Sequence, residues 1–194
     1  MTMSRRNVLP VLTVAASVPL LPLTAARAEA EWSEYRRDDL FRVELPGEPD
    51  MTFELTSIRE FKGGFGPGVL GDLDEKKDLL IRVSIVEAHR EQIQVGVYHV
   101  EYKKPVSPEE EFATLRKTLR KGGFPPPREA ALTVNGLPAR EFACEADDGK
   151  NLIHRRIVMG RLTFRVGVSG KREIHDSPVT RRFFDSFKLL RSAS

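Results

Sequence analysis

The stretch ALTVNGLPAREFACEADDGKNLIHRRIVMGRLTFRVGV, residues 131–168, decides the fold. It reads as four short strands, 131–134, 137–146, 151–159 and 162–168, joined by three tight turns. Asn135-Gly136 and Asp148-Gly149 are strong hairpin signals, because a type I′ turn needs positive φ at both central positions. Gly160-Arg161 closes the third hairpin. The last strand alternates cleanly, with Leu162, Phe164, Val166 and Val168 on one side and Thr163, Arg165 and Gly167 on the other. That spacing predicts an antiparallel meander buried on one face. The other segments read as material packed on this sheet or added to it.

The best-specified helix precedes the meander, over 108–121. Ser107 stands at the cap, Pro108 at the first helical position, and Glu110 completes a Ser-x-x-Glu capping box. Glu109, Glu110 and Glu111 face the positive end of the macrodipole; Arg116, Lys117, Arg120 and Lys121 favour the negative end. Phe112, Leu115 and Leu119 form one apolar stripe, so the helix faces the core. Gly122-Gly123 and Pro125-Pro126-Pro127 end it. After the meander, Ser177 and Pro178 open a short helix carrying Val179, Phe183 and Phe187 at i, i+4 and i+8, and Leu189-Leu190 suit a closing strand. Toward the N-terminus, Phe41, Val43 and Leu45 alternate as a first strand, and 51–58, 79–85 and 93–102 read as further strands. Residues 29–39 are polar, with Trp32 and Tyr35 as anchors onto the domain. Residues 62–77, with five glycines, form a loop, either a plain connector or a lid.

The chain opens on Ser4-Arg5-Arg6-Asn7-Val8-Leu9, continues apolar to Leu23, and offers small residues at Ala26-Arg27-Ala28. Charged start, apolar middle and A-x-A end define a secretory signal peptide. The pair Arg5-Arg6 makes it resemble a twin-arginine signal, read by the Tat export machinery and removed by signal peptidase. Pro10 replaces the lysine of that pattern. The expected division is a signal peptide over 1–28 and one domain over 29–194, with cleavage after Ala28, or after Ala30 at Ala28-Glu29-Ala30. The apolar run is short and broken by Pro10, Pro19 and Pro22, which argues against a stable membrane span. A periplasmic or secreted location follows. Without the three leader arginines, 28 basic residues face 28 acidic ones, so the basic balance of the precursor points to no nucleic-acid partner. The pairs Arg36-Arg37, Lys103-Lys104, Arg155-Arg156, Lys171-Arg172 and Arg181-Arg182 read as solvated surface. Cys144, the only cysteine, reads as a small buried hydrophobe.

Chemistry-bearing patterns fail on spacing. Gly66-Pro67-Gly68-Val69-Leu70-Gly71 spells G-x-G-x-x-G, but a strand follows where a dinucleotide site needs a helix. Asp72, Asp74, Glu75 and Asp78 resemble a calcium loop until Lys76 falls where an oxygen ligand is needed and Lys77 where the loop needs Gly. His89, His99, His154 and His175 show no zinc spacing, and Gly167-Val168-Ser169-Gly170 lacks the G-x-S-x-G spacer. The residues therefore predict no catalytic site, no cofactor and no metal.

Several segments together resemble the PsbP-like family, named after an extrinsic photosystem II subunit. They are Phe41-Arg-Val-Glu-Leu-Pro-Gly-Glu-Pro49, the capped helix 108–121, Asn135-Gly-Leu-Pro-Ala-Arg140, Gly160-Arg-Leu-Thr-Phe164 and Arg182-Phe-Phe-Asp-Ser-Phe-Lys188. The resemblance covers roughly 40–190. It implies an α+β fold, an antiparallel β-sheet with helices on both faces in a three-layer α/β/α sandwich. The family includes a Ran-GTPase release factor and exported bacterial proteins, and its members mostly bind or assemble rather than catalyse. No catalytic residues carry over.

The leading expectation is an exported non-enzymatic binding or accessory protein of the bacterial cell envelope, acting through contacts with an envelope protein partner. The alternative is a small-ligand or lipid carrier with loop 62–77 as lid; a hydrolase with a site gathered from distant residues ranks third. A pocket of about 300–1,000 Å³ with apolar walls indicates a carrier. Converging titratable groups in a cleft indicate an enzyme, and a filled core with a flat apolar patch indicates protein partners.

Overall fold

The structure, a computed structural model, describes residues 32–56, 80–90, 92–146, 148–171 and 173–190. The leader with Arg5 and Arg6, both cleavage positions and loop 62–77 with its glycine and acidic motifs lie outside the described residues. Ten strands are described: β1 (Ser33–Arg37), β2 (Phe41–Leu45), β3 (Met51–Leu55), β4 (Leu80–Arg90), β5 (Ile93–Tyr102), β6 (Arg128–Val134), β7 (Leu137–Glu145), β8 (Lys150–Met159), β9 (Leu162–Lys171) and β10 (Lys188–Leu189). The helices are α1 (Pro108–Lys121), between β5 and β6, and α2 (Pro178–Ser186), between β9 and β10. The fold is α+β and its strand pairings are antiparallel. Seven strands form one sheet in the order β3-β4-β5-β9-β8-β7-β6, and three form a second, β1-β2-β10.

The meander over 131–168 is β6 to β9, with the pairing that its turns dictate. Asn135 and Gly136 both take positive φ, 50° and 79°, as a type I′ turn requires. At the second hairpin only Gly149 does so, at 76°, and its N–H reaches the Ala146 carbonyl at 2.9 Å. Gly160 holds φ at 62° with Arg161 outside the left-handed region, as in a type II′ turn.

The prediction of one buried face is corrected. Odd-numbered residues of β8 and even-numbered residues of β9, among them Ile153, Ile157, Phe164, Val166 and Val168, pack with β2 and α2. Even-numbered residues of β8, Leu152 and Val158, pack with Phe112, Leu115 and Leu119 of α1 and with Phe142 and Cys144 of β7. The strand positions expected to face water are therefore enclosed too. Thr163, Arg165 and Arg156 are all fully buried, so Arg156 is no part of a solvated surface pair.

Three further differences have local causes. Residues 33–37, read as a polar anchor segment, form a strand, and the first strand at 41–45 pairs with it rather than joining the large sheet. Tyr35 is the apolar side chain that β1 turns toward the core, 6.2 Å ring to ring from Phe41. Ser107 occupies the cap of α1, but its side chain makes no cap hydrogen bond, so the capping box does not form. Glu111 is turned inward instead of facing the helix end: Tyr102 Oη donates to it at 3.1 Å, and Arg156 pairs with it at 3.2 Å. At α2 the cap does form, with Val179 N–H donating to Ser177 Oγ at 3.2 Å. The helix stops at Ser186, and Phe187, in extended backbone beyond it, still packs on Phe41 at 5.7 Å and Phe164 at 6.1 Å.

Candidate ligand cleft beneath the first helix

Glycine inside a strand gives up side-chain packing and usually marks a close approach. Two such glycines, Gly96 of β5 and Gly167 of β9, face each other directly in register, and His154 of β8 is the next residue across. A Cβ on Gly167 would lie 2.5 Å from Cδ2 of His154 and 2.7 Å from its Nε2. The imidazole thus lies across Gly167. On Gly96 a Cβ would come within 3.1 Å of Glu87 Cγ and 3.2 Å of the Val86 carbonyl oxygen. The two glycines lower the sheet surface and let Glu87, Tyr98 and His154 fold down onto it.

The opposite wall comes from the C-terminal end of α1. The apolar stripe holds the helix on Phe142 and Leu152. Gly123, at φ 82°, then turns the chain back, and Phe124 N–H closes on the Leu119 carbonyl at 3.0 Å. A cavity of about 380 Å³ remains between this turn and the sheet. Leu119, Phe124 and Leu152 give it apolar walls, while Gln94, Ser169 and Lys150 give it a polar rim.

The polar groups on the β5 side are tied together. Gln94 Nε2 donates to Glu87 at 2.9 Å, Tyr98 Oη donates to the other Glu87 oxygen, and Ser169 Oγ donates to Gln94 Oε1 at 3.3 Å. Burial and the Glu87 charge push the Tyr98 phenol well above its ordinary range. Burial, reinforced by the positive charges of Arg165 and Arg156, pushes the His154 imidazole down to about 3. The ring is therefore neutral over the ordinary pH range, and its buried Nδ1 has no hydrogen-bond partner.

Ser84 Oγ and His99 Nδ1 come within 3.3 Å, the nearest approach to a hydrolytic pair. His99 is fully buried and Ser84 almost so, which leaves no access for a substrate carbonyl. Burial and the neighbouring Arg82 and Arg37 push His99 down to about 4. His89 pairs with Asp50 at 2.9 Å on an exposed edge, away from the other histidines. Among the described residues no group of three or more His, Cys, Asp or Glu side chains could hold a metal. Cys144 packs against α1, and burial raises its thiol to about 11, so it is a core residue rather than a nucleophile. Among the described residues no helix is long and apolar enough to cross a membrane.

Sequence reasoning missed Gly96, Gln94, Tyr98, His154 and Lys150 as a set. The usable signal was a glycine in the middle of each of two strands, at Gly96 and Gly167. No protein-family model matches the chain, and no curated protein matches it either.

Proposed function

We propose that the chain is an exported, non-enzymatic binding protein of the bacterial cell envelope, and that it holds a small molecule in the cleft beneath α1. The cavity carries this reading: its volume of about 380 Å³ lies in the range of ligand pockets, and Leu119, Phe124 and Leu152 give it an apolar wall beside its polar groups. Of the two binding modes expected from the sequence, that observation favours a small ligand over contact with an envelope protein. Non-catalytic use suits the polar groups. Gln94, Tyr98 and Glu87 satisfy one another, and the neutral His154 has no acid or hydroxyl at its ring to relay a proton. Export rests on the Arg5-Arg6 leader.

The finer fold reading, a PsbP-like three-layer α/β/α sandwich, belongs to the same proposal. It is supported by α1 and α2 packing on residues of opposite strand parity, and by the family-like segments falling at β2, the β6–β7 turn, the β8–β9 turn and α2.

Native mass spectrometry of the mature chain released from the envelope tests the reading. Wild type should carry a small molecule; Ser169→Phe, which fills the cleft from β9, should carry none while keeping the far-ultraviolet spectrum. A protein retained equally by both forms would return the account to protein partners. Lysine at both Arg5 and Arg6 should leave the precursor in the cytoplasm, and unimpaired export of that variant would refute the Tat route.

A further inference from the structure

Two lysines stand together at one end of the cleft. Lys150 lies on its lining and is directly opposite Lys171 in the β8–β9 register. Both residues are exposed, and they lie on the strand parity that carries Leu152 and Ser169, the cleft side of the sheet. Like charges opposed across two strands repel, so the arrangement works against the sheet unless an anion sits between them. Among the described residues no carboxylate pairs with either ammonium group. Asp148, the nearest acid in sequence, uses Oδ1 to accept the Lys150 backbone N–H at 3.0 Å within its own turn. The Lys150 ammonium instead lies 5.9 Å from the Phe124 ring centroid, at the edge of the apolar wall. Among the described residues no acidic side chain lines the cavity.

We propose that the cleft selects a small amphiphilic anion, a short-chain or aromatic carboxylate. Its body lies against Leu119, Leu152 and Phe124, and its acid group lies between the ammonium groups of Lys150 and Lys171. The inference rests on the small-ligand reading above and adds the charge and polarity of the ligand. Gln94 and Ser169, hydrogen-bonded to each other on the rim, leave the apolar walls to take the uncharged tail. Both lysines remain hydrated at the mouth, so they discriminate by charge without a buried counter-ion.

Isothermal titration of the mature chain with octanoate and with octanol decides the matter. Octanoate should bind at least tenfold more tightly than octanol. The double variant Lys150→Gln/Lys171→Gln should lose that preference and bind octanoate no more tightly than octanol. Ser169→Phe should abolish binding of both. Equal binding of octanoate and octanol by wild type would overturn charge selection and leave the cleft reading intact. Binding of neither probe overturns the inference, and a molecule retained in the mass spectrometry experiment would then still uphold the binding function. Sedimentation with phosphatidylglycerol vesicles, without octanoate binding, would assign the lysines to a lipid surface and also overturn it.

Discussion

Replacing Glu111 by alanine should lower the stability of the domain by about 3–5 kcal/mol in urea unfolding. Glu111 and Arg156 are both fully buried, and the carboxylate also accepts from Tyr102. Arg156 and Arg165 are opposed across β8 and β9 on the side that α1 covers, so Glu111 moderates the field of two adjacent guanidinium groups. Removing it leaves buried positive charge with less compensation, and desolvation makes that costly. The pair itself need not stabilise: Glu111→Leu/Arg156→Met should recover most of the loss, because apolar residues of similar volume replace buried ion pairs at little cost. A loss below about 1 kcal/mol for Glu111→Ala would show that the guanidinium is compensated elsewhere.

Phe164→Ala should cost about 3–5 kcal/mol, the range for truncating a buried aromatic. Phe164 is fully buried, with Phe41 edge-on at 6.0 Å, Phe187 at 6.1 Å and His99 at 5.2 Å. It is the point where the large sheet meets β2 and the chain end after α2. The cavity left behind would loosen the small sheet, and amide exchange in β1 and β2 should rise with the loss of stability. A variant that unfolds like wild type would mean that the three-stranded sheet does not dock through this cluster.

What was legible in the sequence depended on how local its cause is. Asn135-Gly136, the glycines ending α1 and the Phe112-Leu115-Leu119 stripe act within a turn or two of chain, and each was placed correctly. The strand at 33–37 was not, because Ser-Glu-Tyr-Arg-Arg carries one aromatic among charged residues, and pairing with β2 decides it. Arg156 was misread for a related reason. Its neighbour Arg155 pairs with Glu141 at 2.8 Å and is partly exposed, as a surface arginine should be. One residue later the side chain crosses to the other face of the strand and lies under α1. A strand's period of two separates adjacent arginines into different environments. The cleft was the least legible feature, since it is made by side chains that are missing at Gly96 and Gly167, and absence registers weakly in a sequence.

Amide chemical-shift mapping tests most directly that this cleft is where the protein binds. On titration of the mature chain with octanoate, the account predicts that the largest shifts fall on Gly96, Leu119, Gly122, Leu152, Gly167 and Ser169. Shifts concentrated on the exposed edge at Met51 to Leu55, or none in the cleft at saturating octanoate, would contradict it.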